Sequence, residues 1–424
     1  MVTVEVEDLP TIPMDDPAWW QDPYPVLREL RERHRLARTP QGLPALLRWD
    51  DAFETVRGTQ FIQHGIEVLE ARGFQPGDPL HTWGSSRIGV MEGEHHRRVR
   101  SLAAWALSKR KTDDLRPLIR HHAHALLDAK LGVREIEGRL DYAYLLPRLV
   151  MMDFLGVDED ELGNTMNPAG GSTVIDAFGP GEMTEQTRAM VNTYIQAAMD
   201  HTAMLYDRRR QQPRDDLLTH LVQAQNEEGR LTEGELITLF SSIFGSGTST
   251  ASIIASGMAE LARHPEQAQL LRSNPDAWKK GASEESLRYR PAINAIGQKA
   301  ANHTHAFDRD FAAGTHITVV VGAVNRDPRH WGDDAEHFDI RRDPQNASLS
   351  FGIGPHVCLG HAMSRATIEE ALAVFVERCD EIELLQEPRW IPFVQENKVE
   401  NLRLGILVKE RAAGGTSPIA GDRA

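Results

Sequence analysis

The chain has 424 residues, with 47 Lys and Arg against 62 Asp and Glu for a net charge of −15, and 41% of it is apolar. This is globular composition, enough for one large domain or a few ordinary ones, and it excludes a disordered chain. The acidic balance argues against non-specific nucleic-acid binding, which needs clustered cations to displace phosphate counterions. The first residues carry no signal pattern and no stretch approaches the roughly 18 to 20 apolar residues of a spanning helix, so the expectation is a cytoplasmic protein without a membrane partner. Two cysteines, Cys358 and Cys379, cannot build a disulfide framework or a multi-thiolate metal site, so any sulfur chemistry rests on one thiol.

In chain order, apolar residues spaced by three and four predict helices over 24–33, 115–131, 183–210, 232–263, 277–289 and 361–378. Strands are predicted over 45–48, 316–321 and 402–407, far apart in sequence. The expected class is mainly α with a small β part. The segment 63–94 is rich in Gly, Pro and His without a period, which marks it as a candidate pocket loop. No long linker divides the chain, so residues 1–411 are expected to form a single domain. The Gly-rich tail 412–424 is expected to be disordered.

In the longest predicted helix, Thr232 and Glu235 have capping-box spacing and apolar positions continue to Leu261, a length of roughly 45 Å. Its centre, Phe244-Gly245-Ser246-Gly247-Thr248-Ser249-Thr250, holds two glycines that each cost about 1 kcal/mol relative to Ala. Either helices pack closely on these small residues, or the groove widens where a ligand approaches the backbone and hydroxyls face it.

Near the C-terminus, Phe351-Gly352-Ile353-Gly354-Pro355-His356-Val357-Cys358-Leu359-Gly360 precedes a helical pattern. Cys358 is therefore placed at a helix N-terminus, where amides and the helix dipole stabilise a thiolate. A lone cysteine is more often a small packed hydrophobe; the glycines around this one let backbone amides approach the sulfur. The stretch resembles the haem-binding signature of the cytochrome P-450 family, whose Cys thiolate ligates iron. That resemblance implies the family's fold, with haem b between the long central helix and the cysteine loop. Cys358 would be the iron ligand, with Phe351 shielding the sulfur, His356 on a propionate and Gly360 completing the loop.

Other stretches match in the same order. Glu285-Ser286-Leu287-Arg288 is similar to the ExxR motif, a neighbouring pair on any helix, and Phe338-Asp339-Ile340-Arg341-Arg342 to the segment whose arginine joins that pair. His96 to Arg100 resembles the HxxxR stretch whose ends hold propionates. Two cations one turn apart suit two carboxylates, although a solvated basic face shows the same spacing. With DPYPVLREL, LPRLVMMDFLGVDED and AVNRDP, the resemblance runs from nearly residue 15 to 410.

The long helix departs from the family pattern A/G-G-x-E/D-T. Aligned from the segment 257–265, Gly245 falls above the haem, Ser249 at the alcohol and Thr248 at the acid; neighbouring registers give the alcohol to Thr248 or Thr250, and no register supplies an Asp or Glu. Ser249 and Thr248 are thus the catalytic candidates. Hydroxyls order water but are poor proton sources, so water or the substrate supplies the proton, or the reaction differs. Gln298 stands where the family places a propionate-binding Arg, with Lys299 adjacent.

The resemblance implies a monooxygenase that inserts one oxygen atom of dioxygen into a small organic molecule, expected to be a natural product. The absent acid keeps oxidative coupling, cyclisation and peroxide-driven oxidation open. With no flavin or nicotinamide fingerprint, ferredoxin and ferredoxin reductase are the implied electron donors to a monomeric enzyme, docking on Arg100, Lys109, Arg110, Lys111 and Arg365. The implied pocket draws on the loop 63–91 with Arg87, on Phe244, Gly245 and Ser249, on 292–296 with Ile293 and Asn294, and on 394–396 with Val394 and Gln395. That mix suggests a mid-sized, partly polar substrate.

Overall fold

The computed structural model describes residues 6–107, 109–162, 183–228, 231–346, 348–391 and 397–411. Val394, Gln395 and the predicted tail lie outside the described residues. Helices form where the apolar period placed them. Tyr24–Arg33 and His361–Arg378 have the predicted bounds, and Arg116–Asp128 and Glu185–Gln211 differ from them at their ends. Caps explain two of the shifts: Thr184 Oγ1 accepts from the Thr187 amide at 3.1 Å, and Asn274 Oδ1 accepts from the Ala277 amide at 3.2 Å, starting Pro275–Tyr289 two residues early.

His361–Arg378 is buried almost throughout and packs against Arg116–Asp128, Pro275–Tyr289 and Gly247–Arg263. At Gly257 a Cβ would lie 2.7 Å from Ser286 Oγ and 2.9 Å from Leu372 Cδ1. Glycine there lets three helices meet. Cys379, which opens a strand behind this bundle, is a buried thiol pushed up to about 12 by burial.

A five-stranded sheet orders Leu36–Arg38, Pro44–Leu46, His316–Val320, Ala295–Ala300 and Phe61–Gln63 side by side. Only the pair Pro44–Leu46 and His316–Val320 is parallel. The predicted strand 402–407 is Arg403–Val408, between Glu135–Glu137 and Cys379–Leu384.

Two expectations need correction. The single predicted helix 232–263 is two, Glu233–Gly245 and Gly247–Arg263, meeting at Ser246, and the expected capping box of Thr232 and Glu235 is formed. Together they span 31 residues and hold an 18-residue window with a mean hydropathy of 1.2, which meets the length and apolarity of a membrane span; 56% of that window is buried inside the fold, as in a core helix. The loop 63–94 is also more regular than its sequence suggests. It holds short helices at Glu67–Glu70 and Pro79–Ser85 and a turn at Ile88–Val90, then leads into Gly93–Ala106, which carries His96 and Arg100.

Candidate haem site

The cysteine loop is shaped by its glycines. Gly352 and Gly354 adopt φ of 64° and 74°, a region costly for residues with a Cβ, and the reversal lets the Cys358 amide donate to the Phe351 carbonyl at 2.8 Å. Burial pushes the Cys358 thiol up, opposed by the Gly360 amide and by the positive charges of Arg100 and Arg365. Arg365 lies 4.6 Å over the Phe351 ring and is ion-paired with Glu284.

Behind the loop, Arg288 Nε and Glu285 Oε2 meet at 2.7 Å, both fully buried, and Arg342 Nε lies 3.4 Å from Glu285 Oε1. The remaining Arg288 donors go to the carbonyls of Asn325, Ala335 and His337 at 2.7–2.9 Å, so the buried charge is satisfied on all sides.

A cavity of about 560 Å³ opens above Cys358. Its far wall is one face of the central helices: Ser242, Ile243, Ser246, Ser249, Thr250 and Ile253. At the junction the Thr250 amide is 3.5 Å from the Ser246 carbonyl, longer than the roughly 2.9–3.0 Å of a normal helical bond, and Ser246 Oγ turns back to the Ile243 carbonyl at 2.6 Å. A Cβ at Gly245 would meet nothing within 4 Å, and one at Gly247 only Pro147 Cβ at 3.8 Å and neighbours beyond it. Close packing therefore does not account for either glycine; Gly247 lines the cavity, as the widened groove requires, whereas Gly245 does not.

Cys358, Phe351, His356, Gly360, Ser249, Arg87 and Ile293 all line this cavity. Other candidates lie elsewhere. Phe244, Gly245 and Thr248 are not part of the lining: Phe244 stacks on Phe240, and Thr248 Oγ1 donates to the Gly245 carbonyl at 3.0 Å. The register that Ser246 and Thr250 share thus faces the cavity, whereas Gly245 and Thr248 do not. The carbonyl of Asn294 accepts the Val321 amide at 3.0 Å, and the residue is not part of the lining. Gln298 is buried in the sheet opposite Gln63 and Ile317, off the cavity, with no partner for Oε1 among the described residues. Thr250, whose hydroxyl meets Ser364 Oγ at 2.9 Å, lies on the wall instead.

The sequence reading also missed His64. Its ring stacks on His316 at 4.5 Å and lies beside the Glu67–Lys299 ion pair of 2.6 Å. Burial and the neighbouring His316 push His64 down to about 4. The ligating atoms of His64, Glu67 and His316 lie within 4.8 Å of one another, but the Lys299 ammonium occupies the Glu67 carboxylate that a cation would need. Only the composition of the loop 63–94 signalled this corner.

The donors beside the cysteine loop fit haem. His96 and His356 stack at 4.2 Å, and the buried Nε2 atom of each lacks a hydrogen bond among the described residues, although Glu92 Oε1 approaches His356 Nε2 to 3.3 Å. Arg100 ties its helix to the loop through the Val357 carbonyl at 2.7 Å. Two orphaned imidazoles and a guanidinium answered only by a carbonyl are what two propionates would satisfy. Held through Cys358, haem b would supply the activation of dioxygen by a thiolate-ligated iron.

A sequence profile for cytochrome P-450 matches residues 280–396, which hold the ExxR pair and the cysteine loop. The luteothin monooxygenase of Streptomyces thioluteus is 28% identical over 386 residues, 90% of this chain and 92% of that protein. The biotin biosynthesis cytochrome P-450 of Bacillus subtilis strain 168 is 31% identical over 312 residues, 72% and 76% of the two chains. Among solved structures, P450BioI in complex with an acyl carrier protein ligated to hexadec-9Z-enoic acid matches with a TM-score of 0.84 at 24% identity, over 92% of this chain and 100% of that one. Epothilone D-bound P450epoK gives 0.84 at 24%, over 93% and 99%. A shared fold along the whole chain, and sequence identity that reaches well beyond the cysteine loop, make this protein a member of the cytochrome P-450 family, a haem-dependent oxidoreductase of the bacterial type.

Proposed function

We propose that this protein is a cytoplasmic monooxygenase that inserts one oxygen atom into a small natural product, with electrons from a ferredoxin and its reductase. The observation that carries the reading is the single thiol of Cys358 at the floor of a mostly apolar cavity whose opposite wall presents the hydroxyls of Ser246, Ser249 and Thr250. The apolar lining excludes bulk water. The hydroxyls can hold an ordered water and pass a proton along it. Support for a natural product comes from relatives named luteothin monooxygenase, epothilone C/D epoxidase and 6-deoxyerythronolide B hydroxylase.

Of the cations expected to receive ferredoxin, Arg365 is paired with Glu284 and Arg100 with a carbonyl, and the side chain of Lys109 is outside the described residues. Arg110 and Lys111 are both exposed, and the proposed docking patch includes them.

A second reading, oxidative coupling, cyclisation or peroxide-driven oxidation, has one observation in its favour: no Asp or Glu lines the cavity among the described residues. The reduced protein should give the red-shifted carbon monoxide band of a thiolate ligand, and Cys358→Ala should abolish it; a variant that keeps the band sinks the haem-thiolate reading. Turnover of candidate substrates with ferredoxin, reductase, NADPH and isotopically labelled dioxygen then separates the reactions. Label in the product supports monooxygenation, electron uptake without label supports coupling, and turnover on peroxide alone supports the peroxygenase.

A further inference from the structure

The cavity carries one permanent charge, and nothing in the described protein answers it. Arg87 caps the turn Ile88–Val90 and lines the cavity, yet among the described residues its guanidinium makes no hydrogen bond or ion pair; it lies 5.1 Å from the Trp83 ring centroid. Trp83 is itself fixed by its Nε1 donating to Ser241 Oγ at 2.9 Å, so the ring is a firm seat for the arginine. A face-on aromatic ring contributes only about 0.5–1 kcal/mol to a cation at a wet site. Leaving a guanidinium in a largely apolar pocket costs more than that unless an anion arrives.

No Asp or Glu among the described residues lines the cavity, so the protein does not provide the anion. Haem propionates would have their own donors in His96, Arg100 and His356, and no charged side chain of the described residues perturbs Arg87: burial alone lowers its pKa. Next to the substrate space, His64 offers a second polar atom, Nδ1, buried without a hydrogen-bond partner among the described residues. In a chain of net charge −15 an anionic molecule gains nothing from the long-range field. A local cation must select it.

We propose that Arg87 is a specificity residue that receives a carboxylate of the substrate, so that the natural product oxidised here is an organic acid. One guanidinium balances one negative charge and offers the paired N–H donors that match a planar carboxylate. A dianionic phosphate would leave a charge unanswered in the same pocket. The inference rests on the haem-thiolate reading and narrows its substrate.

The test uses the haem-loaded enzyme and ω-(imidazol-1-yl)alkanoic acids of increasing chain length, each with its primary amide. The imidazole anchors every probe on the iron, which is read by the shift of the haem absorption, and only the tail differs in charge. At the chain length that reaches Arg87 the acid should bind about tenfold more tightly than the amide, a difference of about 1.4 kcal/mol. In Arg87→Gln the acid-to-amide ratio should fall to about one, and Arg87→Lys should keep part of it. Equal binding of acid and amide at every length, or a preference that survives Arg87→Gln, overturns the proposal. So does loss of haem from Arg87→Gln while the wild type retains it, since the anion would then be a propionate. Absence of the thiolate band from the wild type would instead overturn the underlying haem reading, and this inference with it.

Discussion

Asn325 clamps the first turn of the cysteine loop at Ser350: its Nδ2 donates to Ser350 Oγ at 3.0 Å while its Oδ1 accepts the Leu349 amide at 3.0 Å. The carbonyl of the same residue takes Arg288 Nη1 at 2.9 Å, and Ser350 Oγ donates to the Leu287 carbonyl at 2.6 Å. The buried Glu285–Arg288 pair is therefore joined by hydrogen bonds to the segment that sets Phe351, and through Phe351 to the Cys358 amide. Asn325→Ala leaves a buried Leu349 amide unpaired, a loss of about 1–3 kcal/mol. Lower melting temperature and a lower haem-to-protein ratio after gel filtration are expected, with a smaller effect from Ser350→Ala. Wild-type haem retention in Asn325→Ala would show that the clamp does not hold the loop.

Much of this site was legible in the sequence because its parts are local. A glycine-rich turn at a helix start, a pair at i and i+3, and a capping box each declare themselves within a few residues, and Cys358, Glu285, Arg288 and Thr232 stand where such spacing puts them. The joint at Ser246 was not legible, because helical propensity and apolar period run straight through it and the break is made by a serine hydroxyl taking a carbonyl. Gly245 and Thr248 do not line the cavity. Gln298 and His64 depended on strand pairing between distant segments, which no local pattern reports.

Gly281 offers a test of how tightly the Arg342 segment is seated. A Cβ at this helical position would lie 2.0 Å from the Ile340 carbonyl oxygen, a backbone atom that cannot rotate aside. Replacing a helical glycine by alanine normally stabilises by about 0.5–1 kcal/mol. Here the sign should reverse, with Gly281→Ala losing about 1–3 kcal/mol or more from overpacking. Gly245→Ala, where nothing lies within 4 Å, should show the ordinary small gain. Urea unfolding of both variants is the measurement, and a stabilised Gly281→Ala would contradict the close contact.

Acid sensitivity should centre on Glu235, which joins the central helix to the helix carrying His96. Burial works to raise its carboxyl, but Arg98 and His95, both at 2.5 Å, and the Thr232 amide lower it from 4.5 to about 2. A carboxyl depressed in the folded chain contributes stability above its unfolded value, and that contribution is lost as pH falls from about 4.5 toward 2. The size at neutral pH is on the order of 3 kcal/mol. Glu235→Gln should therefore be clearly destabilised at pH 7, and its deficit relative to wild type should shrink at pH 3. A deficit independent of pH would assign the loss to packing.

The three hydroxyls of the helix joint should separate in an alanine series, because geometry gives each a different task. Ser249 lines the cavity and makes no side-chain hydrogen bond among the described residues, so its hydroxyl is available to a water on the proton path. Thr250 also lines the cavity but is held by Ser364 at 2.9 Å, and Thr248 is turned away onto a carbonyl. Removing a positioned proton-transfer group typically costs about 10²-fold or more, and in an oxygenase the loss shows as NADPH consumed without product. Ser249→Ala should lower product formed per NADPH by roughly tenfold or more while binding affinity changes little, since the hydroxyl acts on the proton and not on the bound molecule. Thr248→Ala should stay near wild type. Thr250→Ala should fall between them and lower thermal stability, because it breaks the tie to the cysteine helix. If Thr248→Ala alone uncouples the enzyme, the alcohol belongs to the neighbouring register that assigns it to Thr248 and not to the residues that line this cavity.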